Sequence, residues 1–211
     1  MKPLRGIIPF LIVFAGFGLA ASGGQSPRSD SPKTALMVLD MQEDFLGENA
    51  KMPIQRERIP ALTAIVNSLI DEFERNGQQI IYIKSEFPKI ALGNRVRHHA
   101  AIKGSPGAEI YGKLRISGSI IFSKKKPDAF SNPELEKYLA ANQIQRLVIT
   151  GVYADQCVLS TTMAALDRQY LVTFVRNGVG ARSDKDVNKA CEKVKKRGAD
   201  VIEYPPGAHI E

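Results

Sequence analysis

Three polar side chains stand just past the ends of apolar runs: Asp40 after "TALMVL", Lys124 after "GSIIFS" and Cys157 five residues after "LVITGV". A thiol is a nucleophile only as the thiolate, so it needs a base or a cation close by. Asp40 is a candidate base. A lysine ammonium beside it would hold the carboxylate in place and stabilise a thiolate. Cys157 opens a helical pattern, and the free N–H groups at a helix start favour a thiolate and can hold a developing oxyanion. Taken alone, each residue also has a plainer reading. Asp40 suits a turn cap, Cys157 a small core residue, and the lysines of "SKKKP" a solvated surface. Cys191, the other cysteine, falls mid-helix beside Ala190 and Val194 and reads as packing. A Cys157–Cys191 disulfide would abolish the chemistry, and spacing alone does not decide it.

These side chains need elements to carry them. "TALMVLD", "QQIIYIKSEF", "ISGSIIFSK", "QRLVITGV", "LVTFVRNGVG" and "VIEY" read as six strands, several apolar on both faces. Between them "IPALTAIVNSLIDEFERNG" has helical spacing and ends at Gly77. "SNPELEKYLAANQI" opens with a Ser/Asn cap and Pro133. "DQCVLSTTMAALDRQY" follows the fourth strand, and "SDKDVNKACEKVKKRGAD" carries a Ser183 or Asp184 cap and a basic last turn. The alternation predicts an α/β fold: a three-layer α/β/α sandwich around a mostly parallel, Rossmann-like sheet of about six strands. Ligands in such folds bind beyond the carboxyl ends of the strands. That rule directs attention to Asp40, Lys84–Glu86, Lys124–Lys126 and Gly151–Cys157. Phe87 to Ser117 lacks clear periodicity, and a segment of that length reads as a lid or pocket wall.

Residues 1–24 have a basic start at Lys2 and Arg5, an apolar run from Ile7 to Ala21 and a small-residue exit, the pattern of a secretory signal. The run is short for a membrane span, and an uncleaved N-terminal anchor is the alternative. The expected location is therefore secreted or periplasmic. Residues 25–33, rich in Ser and Pro, read as a flexible linker, and 34–211 as one domain. The formal charge of +7 comes from scattered basic residues without aromatic interleaving, which argues against nucleic acid as a partner.

Three blocks in order give a resemblance over Thr34 to Tyr204: "ALMVLDMQEDF", "KKKPDAFSNPELEKYL" and "LVITGVYADQCVLSTTMAAL". They resemble the isochorismatase-like cysteine hydrolases, a family that includes nicotinamidases, N-carbamoylsarcosine amidohydrolase and ureidoacrylate amidohydrolases. "KGSPGAEIYGKL" also looks like a family segment. The resemblance implies Asp40 as catalytic acid/base, Lys124 as catalytic lysine and Cys157 as nucleophile. Lys124 is favoured over Lys125 and Lys126 because it stands six residues before Phe130. The resemblance further implies a cis peptide joining Val152 to Tyr153, and an oxyanion hole from the N–H groups of Tyr153 and Cys157. Phe45, Phe130 and Tyr153 flank these positions as pocket walls or as packing.

The activity implied is hydrolysis of a C–N bond in a small amide or carbamoyl substrate through a thioester. Members that cleave a vinyl ether lack the cysteine, so that reaction is the weaker reading. A non-catalytic secreted binder of a small metabolite is the other alternative. Metal-dependent nicotinamidases carry an Asp-x-His pair after the second strand; this chain has Lys84-Ser85-Glu86 there, and His98 and His99 are adjacent. No metal and no cofactor is expected. The expected partners are a small-molecule substrate and further copies of the chain.

Overall fold

The computed structural model describes residues 31–118 and 120–205. The expected signal segment and most of the linker lie outside the described residues. Among the described residues, no helix is long and apolar enough to cross a membrane. The strands are β1 (Thr34–Leu39), β2 (Gln79–Ser85), β3 (Ile121–Lys124), β4 (Arg146–Val152), β5 (Leu171–Gly180) and β6 (Asp200–Ile202). The helices are α1 (Glu43–Leu46), α2 (Ile59–Arg75), α3 (Pro133–Ala141), α4 (Leu159–Asp167) and α5 (Asp184–Lys196). All strands pair in parallel, in the order β3-β2-β1-β4-β5-β6. The expected six-stranded α/β architecture is the one observed.

The period of two along each strand divides the core. Ala35, Met37 and Leu39 of β1 face one side with Leu147 and Ile149, and meet Leu135 and Leu139 of α3, Ala165 of α4 and Val194 of α5. Leu36 and Val38 face the other side with Ile80 and Tyr82, and meet Leu62, Val66, Leu69 and Phe73 of α2. Both faces are dry, which is why the strands are apolar without alternation. Each large side chain so buried contributes about 1.5–3 kcal/mol.

The helix ends follow their sequence signals. Gly77 adopts φ +64 just past α2. Asn132 accepts from Glu134 N at the start of α3, and Ser183 accepts from Asp186 N at the start of α5. The helix after β4 departs from expectation. Ala154–Val158 form one turn of π-helix before α4 begins. Its wide turn is closed on Tyr153, whose carbonyl accepts from the N–H groups of Gln156 at 3.0 Å and Val158 at 3.1 Å.

One crossover is irregular. Parallel strands usually need a helix between them, yet 86–120, which joins β2 to β3, has only short 3-10 turns at Leu92–Asn94 and Pro106–Ala108. Its Ala100, Ala101 and Leu114 pack on the same face of the sheet as α2.

Candidate active site

The sheet changes direction at β1, whose neighbours β2 and β4 lead to opposite edges. A crevice opens at the carboxyl ends of strands around such a point. β1 ends there at Asp40, which takes φ +52, a left-handed conformation that Asp tolerates better than most residues. Its N–H donates to Ile83 O at 2.8 Å, which ties the bend to β2. Gly151, one residue before the end of β4, has φ +114 and lies against Leu39; a Cβ there would collide with the Leu39 backbone. The peptide from Val152 to Tyr153 is cis, as the resemblance implied.

Lys124 closes β3, two strands from β1, and Ser85 of β2 pairs with it. Strands lie about 4.8 Å apart, so the lysine must reach across β2 to meet Asp40. Ser85 is small enough to let it pass. The ammonium has three donors, and each has an acceptor: Asp40 Oδ2 at 2.8 Å, Ser85 Oγ at 2.8 Å and Cys157 Sγ at 3.3 Å. Asp40 is 1% and Lys124 3% exposed, so the pair is buried. Lys125 and Lys126 are exposed, and Lys124 is the one of the three that reaches Asp40 and Cys157. Asp40 Oδ1 is buried and has no hydrogen-bond partner among the described residues.

Loop ties hold these positions. Ala129 N donates to Thr161 Oγ1 at 3.0 Å, which fastens the turn after Lys124 to the helix after Cys157. Asn132 Nδ2 donates to Ser123 O at 2.9 Å. Gln42, fully buried, accepts from Ser85 N at 2.8 Å and donates to Ser85 O at 2.9 Å and Ala108 O at 2.7 Å. Asp44 accepts from Ala101 N at 2.8 Å and holds down the irregular crossover.

Burial pushes the Cys157 thiol up to about 12; the Asp40 carboxylate adds to this and the Lys124 ammonium offsets part of it. The helix-start argument expected a thiolate at rest, and here desolvation and the carboxylate outweigh the N–H groups. Burial also pulls Lys124 down, but Asp40 and Cys157 together more than offset it, and its pKa ends above the ordinary value. The resting arrangement is thus an ammonium, a carboxylate and a thiol that still carries its proton. Both cysteines are free, and Cys191 is a buried packing residue of α5 as expected.

A cavity of about 240 Å³ opens onto the cluster. Phe45 and Tyr153 line it, edge to face at 5.6 Å. Phe130, named with them from the sequence, is not a wall. It packs in the core against Tyr170 at 5.9 Å with the Arg168 guanidinium over it, because Asp128 caps the turn and directs it inward. Met52, Ser85, Phe87, Arg97 and Gln156 also line the cavity and were not singled out beforehand. Ser85 and Gln156 fall in the strand-end stretches Lys84–Glu86 and Gly151–Cys157, and Phe87 and Arg97 in the segment read as a lid or pocket wall; Met52 had no signal. A larger groove of about 630 Å³ beside α1 contains none of Asp40, Lys124 and Cys157.

A parallel α/β sheet with a thiol, a carboxylate and a lysine on its carboxyl rim defines a class of hydrolytic fold. Residues 34–204 match the isochorismatase domain, and the chain belongs to the isochorismatase family. It is 28% identical over 160 residues to the uncharacterized isochorismatase family protein PncA of Bacillus subtilis, covering 71% of this chain and 87% of that one. It is 24% identical over 168 residues to the secreted isochorismatase effector Isc1 of Verticillium dahliae, covering 79% and 83%. Among solved structures it is similar to N-carbamoylsarcosine amidase from Thermoplasma acidophilum, at TM-score 0.71 and 28% identity over 81% of this chain and 96% of that one. It is also similar to the pyrazinamidase of Pyrococcus horikoshii in complex with zinc, at TM-score 0.75 and 27% identity over 82% and 100%.

The described residues around the cavity do not fit zinc. His98 and His99 are exposed and neither lines the cavity. Among the described residues, no group of three or more His, Cys, Asp or Glu could hold a metal ion. At the end of β2, Lys84 pairs with Glu86 and Glu109, both at 3.3 Å.

Proposed function

We propose that the protein is an exported cysteine hydrolase that cleaves the C–N bond of a small amide or carbamoyl compound through a thioester. The observation that carries this reading is the cluster itself: one ammonium within 3.3 Å of Cys157 Sγ and 2.8 Å of Asp40, with the Asp40 carboxylate also acting on the thiol. Export rests on the segment from Lys2 to Gly24 and accords with the secreted effector among the relatives.

Asp40 takes the Cys157 proton as the sulfur attacks the carbonyl carbon. The C–S bond forms, and the carbonyl pair moves to oxygen. The oxyanion rests on the N–H groups of Tyr153 and Cys157, which cost no reorganisation during the reaction. The C–N bond then breaks, and Asp40 returns the proton to the leaving nitrogen. Water adds to the thioester and gives a proton to Asp40; the sulfur leaves and is reprotonated. Lys124 stays charged throughout and holds the Asp40 carboxyl group in place through their 2.8 Å contact. A thiol protonated at rest suits this sequence, because transfer to Asp40 accompanies attack instead of preceding it.

Ammonia release from a panel of primary amides and carbamoyl compounds tests the reaction. The expected result is turnover by the native chain and none by Cys157→Ala. Rapid quench and mass spectrometry should find the acyl group on the Cys157 peptide. Turnover that survives Cys157→Ala would rule out the thioester.

A further inference from the structure

The cavity carries more positive charge than a neutral amide needs. Its lining includes Arg97, Lys125 and Lys126 against one acid, Asp40, and Asp40 is already committed to Lys124. We propose that the substrate is a small carboxylic acid bearing the scissile amide or carbamoyl group, and that Arg97 binds its carboxylate. This rests on the hydrolytic reading above.

Arg97 is held in place as a binding group would be. Its guanidinium lies over the Phe87 ring, 3.8 Å from the centroid. Its Nη2 donates to Asn94 Oδ1 at 2.9 Å. Asn94 is itself buried and fixed, donating to Pro88 O and Lys89 O, both at 2.9 Å. Gly93 backs the group, since a Cβ there would collide with Nη1. Yet Arg97 Nε is buried without a hydrogen-bond partner, and no carboxylate within ion-pairing distance of Arg97 is found among the described residues. Arg97 as a whole is partly buried, a fixed guanidinium that faces the cavity with no protein carboxylate beside it. A ligand carboxylate would supply the counter-ion, and a guanidinium's planar fork matches its two oxygens. The small cavity suits a short acid, with Lys125 and Lys126 adding charge of the same sign.

Matched pairs test this. The ω-amic acids malonamate, succinamate and glutaramate, and the N-carbamoyl derivatives of glycine and β-alanine, are each compared with the neutral carboxamide of the same skeleton. Calorimetric titration into the Cys157→Ser chain reads binding without turnover, and ammonia release by the native chain reads turnover. At least one acid should bind about 10- to 100-fold more tightly than its neutral partner, the range for a hydrogen-bonded charged group. Arg97→Gln should erase the preference through KM with kcat little changed, and Arg97→Lys should keep part of it. If no acid beats its partner, or the preference survives Arg97→Gln, the assignment is wrong. A preference without ammonia release from any compound would sink the hydrolytic reading and leave the anion site standing. Equal release from acid and neutral partners would do the reverse.

Discussion

The rim of β1–β4 and the crossover from 86 to 120 build the two halves of one cavity by different means. Asp40, Ser85, Lys124 and Gly151 occupy ends of strands whose register the sheet sets. Phe87 and Arg97 sit on irregular backbone, held by hydrogen bonds with the side chains of Gln42, Asp44 and Asn94. The rim pairs its charges in the interior, whereas the crossover pairs most of its own at the surface. A buried charge without its partner costs several kcal/mol, while an exposed one costs little. The rim is therefore intolerant of change, and the crossover can vary its side chains and with them the ligand.

The sharpest way to break this contrast is to delete one cation from each region. Lys124→Ala strands Asp40 as a buried unpaired carboxylate. It should lower stability by about 3–5 kcal/mol in urea unfolding and leave no measurable turnover. Arg115→Ala, in the crossover, removes half-exposed pairs with Asp71 and Glu74 and should cost less than about 1 kcal/mol. Equal losses would mean that the two regions do not differ as claimed.

Asp40→Asn separates the chemistry of the rim from its architecture. The amide keeps the shape and loses the base, so turnover should fall by about 10²–10⁴-fold. The carboxylate also raises the Cys157 pKa while Lys124 lowers it. Removing the carboxylate alone should therefore bring the pKa down and speed alkylation by iodoacetamide near about pH 8. Slower alkylation in Asp40→Asn would mean that Asp40 ionises the thiol at rest.

The same contrast decides what was legible in the sequence. An apolar run that stops at an acid, or at Gly151, already marks a rim position, because the sheet leaves few places where such a run can end. Asp40, Lys124, Cys157 and Tyr153 were named for that reason and for their motif spacing. Arg97 carries no such mark: its place depends on Asn94, Phe87 and Gly93 coming together on irregular backbone. The crossover 87–117 was recognisable only as a segment without period. Phe130 stayed open between wall and packing because its motif position says that it is near Lys124 but not which way it points; the Asp128 cap decides that. The π turn at Ala154–Val158 was read as ordinary helix, since its composition suits either.

Loosening the crossover while leaving the rim alone gives a third, smaller effect. Asp44→Ala removes the acceptor for Ala101 N and the partner of Lys51 at 3.6 Å. Leaving that amide unpaired should cost about 1–3 kcal/mol. Amide exchange should quicken across 87–117 and stay unchanged in β1 and β4, with KM rising more than kcat falls. Uniform acceleration of exchange would mean that Asp44 supports the whole fold.

The smallest effect is a pH dependence that only the rim should show. The Cys157 thiol is pushed from 9.0 to about 12 in the folded chain. Between those values the unfolded chain releases the thiol proton and the folded chain keeps it. The folded state then binds more protons, so stability must fall as pH rises through this window, by at most about 1.4 kcal/mol per pH unit. Cys191 is also raised by burial and acts in the same direction, but it is common to the native chain and to Cys157→Ser. The difference between their unfolding curves from about pH 8 upward isolates Cys157 and its coupling to Lys124. The native chain should lose stability faster. Arg97→Gln, which alters only the crossover wall, should follow the native curve. If Cys157→Ser falls as steeply as the native chain, the thiol pKa is the same folded and unfolded and burial does not hold the proton on the sulfur; a native chain that falls less steeply than Cys157→Ser would mean a thiolate at rest, whose attack needs no proton acceptor.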